Sequence, residues 1–424
     1  MRFQYFLLLI AAGLICGTVS ANASSETTLY EFNLGSGDGY QPVAGLITDS
    51  GGNLYGTTML GGANCGADGC GTVYELISGN GGKTWTEAVL YSFKGTTDGA
   101  FPEGSLVFDT KGNLYGTTSG GGTSRAGTIF ELSPPAKRPG AWTETTLYNF
   151  PTANDGYFPV SLIIDSSGNL YGAEPGYPKG FGNVFELSPS GSSWSFKTLY
   201  SFQGGAKHDG TWPVGSVVLS PWGSIYGVTT AGGTGAGCRA DGCGTVFQLT
   251  PQTNGTWKEK VTYAFTGESD GGVPVGIALD PTNRIWYGAT AQGGTNNNSG
   301  TVFQVSAVKG GGWAEAVIYN FGGSDGLSLP QANVTVDGKG NVYGTTFVSI
   351  DGTGDGGIYK LAPPQGDGDW TEVTQYEFSG GSGGGSGPTS LVLNNAQSAV
   401  LGATEYGGLA SSGGMVFKVV VTAK

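Results

Sequence analysis

The chain has 424 residues, with 19 Lys+Arg against 32 Asp+Glu, a net charge of −13 and a single histidine. Such an acidic field repels phosphate backbones and argues against nucleic acid as a partner, and one histidine excludes multi-histidine metal centres. Glycine reaches 81 residues while only 12% of residues are charged, a balance that would indicate disorder in a chain without periodicity; here the glycines recur in register with aromatic and β-branched runs and read as turn residues.

Met1 and Arg2 precede an apolar stretch from Phe6 to Cys16 and the small-residue segment Ala21, Asn22, Ala23. This is the pattern of a secretory signal peptide over residues 1–23, cleaved after Ala23. The apolar run is too short to cross a bilayer, and nothing later in the chain is long and apolar enough. Cys16 follows Ile15, where a lipoprotein signal needs a small side chain. Residues 24–424 are therefore expected to form one secreted domain, extracellular or periplasmic, and monomeric.

The next run, Leu29 to Phe32, returns as Leu90 to Phe93, Leu147 to Phe150, Leu199 to Phe202, Thr262 to Phe265, Ile318 to Phe321 and Gln375 to Phe378. Each copy is followed by a short apolar run ending near Asp or its stand-in, then by a run such as Asn53 to Thr58, then by one such as Gly127 to Leu132. Four short runs bounded by Gly, Asp and Pro, with no helical periodicity, make a propeller blade. The predicted fold is all-β: a seven-bladed β-propeller of four-stranded antiparallel blades. In blade 2 the strands fall at Ser105 to Asp109 (a), Asn113 to Thr118 (b), Gly127 to Leu132 (c) and Trp142 to Phe150 (d). Strand a opens on Gly45, Ser105, Ser161, Ser216, Gly276, Asn333 or Ser390, small residues suited to crowding around a central channel. The first run after the leader, Thr27 to Phe32, is of type d, and the last, Gly414 to Val421, is of type c. The N-terminal strand is thus expected to complete the last blade, closing the ring and hiding two strand edges.

The stretch Asp109 to Thr118, with Gly121, Gly122 and Gly127 to Phe130, resembles the GloVer (Gloeobacter/Verrucomicrobia-type) tandem-repeat family, and the likeness runs over the whole mature chain. It implies a bacterial, exported repeat protein. Members commonly carry a C-terminal anchor or sorting segment, whereas this sequence ends at its last strand. The turn from Ser78 to Trp85 is also similar to the Asp-box hairpin of sialidase propellers, with Asn80 in the place of Asp. The sialidase arginine trio does not carry over: Arg125, Arg138, Arg239 and Arg284 are the arginines of the mature chain, and the strand scheme puts them on opposite faces.

In such a ring the d-to-a and b-to-c loops share the face where ligands bind. Asp49, Asp109, Asp165, Asp280 and Asp337 lie in the a-to-b turns of the other face and read as turn caps. Six d-to-a loops carry Asp-Gly, at Asp38, Asp98, Asp155, Asp209, Asp270 and Asp325. These too read as turn chemistry; no cofactor is expected, calcium being the one metal such a ring of carboxylates could hold. Cys65, Cys70, Cys238 and Cys243 form two Cys-x4-Cys loops in blades 1 and 4, nearly opposite in the ring, so two local disulfides are expected rather than a shared zinc site.

Three acids break the repeat on the ligand face: Glu103, where most copies have Val, Glu174, where most have Thr, and Glu405. They are the candidate catalytic carboxylates. The residue before the d-to-a proline reads Gln41, Phe101, Phe158, Trp212, Val273, Leu329 and Gly387. Three consecutive large rings, with Tyr157 and His208 beside them and Glu103 and Asp209 nearby, form a candidate platform for sugar rings. The expected function is non-enzymatic binding of a glycan or another extracellular polymer. The alternatives are a carbohydrate-active hydrolase or lyase using the ligand-face carboxylates, and a structural or protein-interaction scaffold.

Overall fold

The computed structural model describes residues 25–33, 37–151, 161–176, 180–204, 209–235, 237–238, 241–280, 282, 284–322, 327–349, 355–366, 368–380, 384–408 and 413–421. The signal peptide, Asp155, Tyr157, Phe158, His208 and Asp325 lie outside the described residues.

Seven antiparallel four-stranded blades form the ring, and no helix occurs among the described residues. Blade 1 pairs Ile47–Thr48, Leu54–Thr58, Thr72–Gly79 and Thr84–Ser92 in the order a, b, c, d. Blade 2 repeats this with Val107–Phe108, Leu114–Thr118, Thr128–Ser133 and Thr143–Asn149. In blade 7 the outer strand is Glu26–Glu31, which pairs with Met415–Val420. The ring therefore closes with the N-terminal strand in the last blade, as the repeat register predicts.

What packs blade on blade is read from the recurring aromatics. The phenylalanine ending each strand d is at most 4% exposed and meets the aromatic of the next blade's strand c edge to face. Phe93 meets Phe130 at 5.1 Å between centroids, Phe32 meets Tyr74 at 5.0 Å, and Phe378 meets Phe417 at 5.0 Å. Each such pair contributes about 0.5–1.5 kcal/mol beyond the area it buries. The strand-b glycine exists to admit that ring: a Cβ on Gly116 would come 2.5 Å from Phe130 Cζ, and one on Gly172 2.5 Å from Phe185 Cζ. A second layer of contacts joins the strand-b tyrosine to the tryptophan opening the next strand d, as in Tyr115 with Trp194 and Tyr226 with Trp313.

The predicted turn caps are present. In blade 2, Asp109 Oδ1 accepts from the Lys111 and Asn113 N–H groups and Oδ2 from Asn113 Nδ2; Asp165 and Asp337 repeat the set.

Candidate functional site

Among the described residues, the d-to-a loops entering blades 1, 2, 4 and 5 share one construction. The Asp98 carboxylate accepts from the Tyr91 hydroxyl at 2.9 Å, from the Lys94 N–H at 2.9 Å and from Thr96. Asp38 accepts from Tyr30, Asn33 N–H and Gly39 N–H, and Asp209 from Tyr200, Gln203 N–H and Gly210 N–H. Asp270 holds Tyr263 and Thr266 in the same way. The oxygens of these carboxylates are directed at the protein's own donors, with Asp38, Asp98 and Asp209 between 5% and 8% exposed. Among the described residues, no group of three or more His, Cys, Asp or Glu is gathered around a point where a metal ion could sit.

The residue before the entry proline has a left-handed backbone in every described copy: Gln41 at φ 58°, Phe101 at 57°, Trp212 at 59°, Val273 at 57°, Leu329 at 56° and Gly387 at 64°. Bulky and β-branched residues seldom adopt it. Its N–H is tied to the preceding blade's b-to-c loop, Phe101 to Cys70 O at 2.9 Å, Trp212 to Phe181 O at 2.8 Å and Val273 to Cys243 O at 2.8 Å. This latch turns the residue after the proline toward the channel.

That residue is Val43, Glu103, Val214, Val275, Gln331 or Thr389, and all six, with Thr230 and Glu405 of strand b, line a cavity of about 350 Å³ at the channel mouth. Glu103 and Glu405 are its only charged side chains among the described residues; the rest of the polar wall is hydroxyl and amide, including Ser105, Ser161, Thr389, Ser390 and Asn333. Glu103 is open to the cavity, yet the channel wall crowds it enough that desolvation pushes its carboxyl above the ordinary glutamate range. The Ser119 hydroxyl, donating to it at 2.6 Å, pulls in the opposite direction, and the charge on Glu405 pushes it up further. Beside Glu405, the Tyr406 hydroxyl is pushed up to about 12, first by its interaction with that carboxylate and then by burial. Tyr406 and Phe347 are both exposed, at 39% and 38%, and Phe347 reaches the edge of the cavity at Gly387.

The small residues opening strand a do more than relieve crowding. The Gly45 N–H donates to Ser105 Oγ at 3.0 Å and the Ser105 N–H to Ser161 Oγ at 2.9 Å, so hydroxyls link one blade to the next around the channel. Asn333 is the odd member: its side chain lies against Gly215 and Gly276, where a Cβ on Gly276 would collide with it. Asn333 is also the residue shared between this cavity and a second, of about 750 Å³, lined lower in the channel by strand-a residues such as Ile164, Val218 and Leu279.

Two of the three acids marked by the sequence therefore meet in one cavity, although they come from blades 2 and 7. Glu174 does not join them. It ends strand b of blade 3 in the place of the threonine whose hydroxyl elsewhere pairs with strand c, as Thr118 does with Thr128, and is 2% exposed beside Asn183. Phe101 packs on the core shared by blades 1 and 2. Trp212 is half-buried and its Nε1 donates to Gly180 O at 3.3 Å. Phe347 and Tyr406 escaped the sequence reading, and Asn333 entered it only as one of the small residues opening strand a.

Both disulfides are local, Cys65 to Cys70 with Cα atoms 5.6 Å apart and Cys238 to Cys243 with 5.2 Å. No helix among the described residues is long and apolar enough to cross a membrane.

Among solved structures the chain is similar to a Lactobacillus plantarum protein, at 15% identity over 78% of this chain and 84% of that one, with a TM-score of 0.54. It is similar also to the periplasmic gluconolactonase of Pseudomonas aeruginosa, at 14% identity over 85% and 88%, with a TM-score of 0.54. At these identities the likeness shows the fold alone. No curated protein matches the chain. The Gloeobacter/Verrucomicrobia repeat matches residues 12–175 and 138–346, well over half the sequence. With its seven blades built on that one unit, the chain belongs to the Gloeobacter/Verrucomicrobia repeat family.

Proposed function

We propose that the protein is an exported, non-enzymatic binding propeller that takes the end of a glycan, or of another extracellular polymer, into its channel mouth. The observation that carries this reading is the cavity. Hydroxyl and amide groups with two carboxylates, flanked by the rings of Phe347 and Tyr406, are the donors, acceptors and faces that a sugar unit engages. At about 350 Å³ the space suits one or two sugar units, and Asn333 across the channel favours end-on entry over threading. Carboxylates as the sole charges favour neutral or amine-bearing sugars over uronates. The two disulfides are consistent with export.

Calorimetric titration of the full-length mature protein with neutral, amino and uronate oligosaccharides tests it. Binding should appear in the first two classes and weaken at least about tenfold in Glu405→Gln, the loss expected for a charged hydrogen bond. Absence of binding across the panel would remove the reading. A hydrolase remains the second reading, favoured by Glu103 standing near Glu405 with its carboxyl shifted upward by desolvation, since glycoside hydrolysis uses a pair of carboxyl groups of which one serves as the acid. Release of reducing sugar that disappears in Glu103→Gln would establish it in place of simple binding.

A further inference from the structure

The least satisfied acids outside the channel lie between neighbouring blades. Strand d carries a glutamate four residues before its tyrosine in six blades, at Glu26 and Glu372 and, where an entry-loop aspartate is described, at Glu87, Glu144, Glu259 and Glu315. Each of these last four stands near the Asp-Gly aspartate of the loop entering its own blade, which acts as that loop's latch aspartate: Glu87 near Asp38, Glu144 near Asp98, Glu259 near Asp209 and Glu315 near Asp270. The aspartate is bonded to a tyrosine of the preceding blade's outer strand, Tyr30, Tyr91, Tyr200 or Tyr263. Each tyrosine thus stands near two carboxyls across a blade boundary and donates to the aspartate, Tyr263 also hydrogen-bonding its glutamate, Glu315. In three of the four sites this leaves the glutamate short: Oε1 of Glu87, Glu259 and Glu315 is buried with no hydrogen-bond partner.

The fourth site is the built-in contrast. Glu144 accepts from Thr146 Oγ1 at 2.9 Å and has Lys94 near it. The other three glutamates are influenced by no cation; around Glu87 stand Asp38, Tyr30 and Tyr74, around Glu259 stand Asp209 and Tyr200, and around Glu315 stand Asp270 and Tyr263. Burial first, and the neighbouring aspartate second, push these three up to about 7, against about 6 for Glu144.

We propose that Glu87, Glu259 and Glu315 act as proton-operated clamps between blades, closed when protonated and loosened when ionised. A protonated glutamate supplies the hydrogen its site lacks and can donate it to the shared tyrosine oxygen, while an ionised one repels the latch aspartate across the boundary. The folded chain binds these protons more tightly than the unfolded chain, in which glutamate titrates near 4.5. The stabilisation is therefore complete below about pH 4.5 and is lost as the pH rises through about 7.

Thermal melting of the full-length mature protein between pH 4.5 and 8 tests this against the triple variant Glu87→Gln, Glu259→Gln, Glu315→Gln. The wild type should lose about 5 °C or more across that range. The variant, carrying permanently neutral amides, should match it at pH 4.5, keep most of its melting temperature at pH 8 and show a flattened slope. The exposed Glu268→Gln, which removes one charge elsewhere, should leave the slope unchanged, and 0.5 M salt, which screens the overall acidic field, should leave the difference between wild type and triple variant in place. Parallel slopes in wild type and triple variant would overturn the clamp. Should the triple variant fail to fold, each single substitution must flatten the slope by a fraction and Glu144→Gln by less than any of them; equal effects at all four sites would overturn it as well.

Discussion

Blades 2 and 5 begin in the same way and end differently. Phe101 and Val273 share a φ of 57°, and each N–H is held by a half-cystine carbonyl of the blade before, Cys70 and Cys243. Each is followed by a proline seated against a left-handed glycine of that earlier blade, Pro102 on Gly71 and Pro274 on Gly244. One residue further on, blade 2 places a glutamate in the channel and blade 5 a valine. The backbone device is copied wherever the ring needs a junction, and the side chain it delivers is free to change. Asp, Gly, Pro and Phe positions make the frame, while the positions they aim inward carry whatever is particular to this protein.

That division can be attacked from either side. The largest effect should come from the frame: deleting residues 25–33 removes the outer strand of blade 7 together with Phe32, which is 1% exposed. Aggregation, or loss of the cooperative melt, is expected by size-exclusion chromatography and calorimetry. A truncated chain that stays monomeric and melts like the parent would show that closure does not hold the ring together.

Trp212 tests the border between frame and site. Its backbone belongs to the latch, its ring is half-buried, and its indole N–H is used within the protein. Trp212→Ala should therefore cost about 2–3 kcal/mol in denaturant unfolding, somewhat under the value for a fully buried ring, and leave saccharide binding within about threefold of wild type. Weakened binding with unchanged stability would assign the ring to the ligand instead.

The smallest effect on stability belongs to the channel. Glu103→Gln keeps the shape and the Ser119 contact and removes a charge that burial and Glu405 both disfavour. It should shift the melting temperature by less than about 2 °C at pH 7. A large loss would mean that Glu103 is part of the frame.

The blade count, the closing strand and both disulfides were legible because they follow from repetition, register and spacing. The turn caps were legible from Asp and Gly at fixed offsets. Glu103 and Glu405 could be marked as departures from the repeat, but that they face one cavity depends on ring closure bringing blades 7, 1 and 2 together. The inward turn of Glu174 was not legible, since it follows from which face the last residue of strand b presents. Nor were the latch residues: steric reasoning puts glycine at a left-handed position, and here Gly387 alone among the described copies obeys it. The unpartnered glutamates escaped for a related reason. A charged residue on an outer strand reads as solvated until the neighbouring loop folds over it.

Closure also imposes an order of events on the newborn chain. Glu26–Glu31 leaves the ribosome long before Met415–Val420, the strand it pairs with. Blades 1 to 6 are local in sequence and can form as they appear. Glu26–Glu31 has no partner until the residues of all seven blades exist, and the entropy of joining such distant segments grows only slowly with the length between them. Waiting rather than distance is the difficulty. Until Met415–Val420 has emerged the chain carries this strand with its edge unpaired, and a holdase that covers it until then would protect the protein more than any catalyst of later folding.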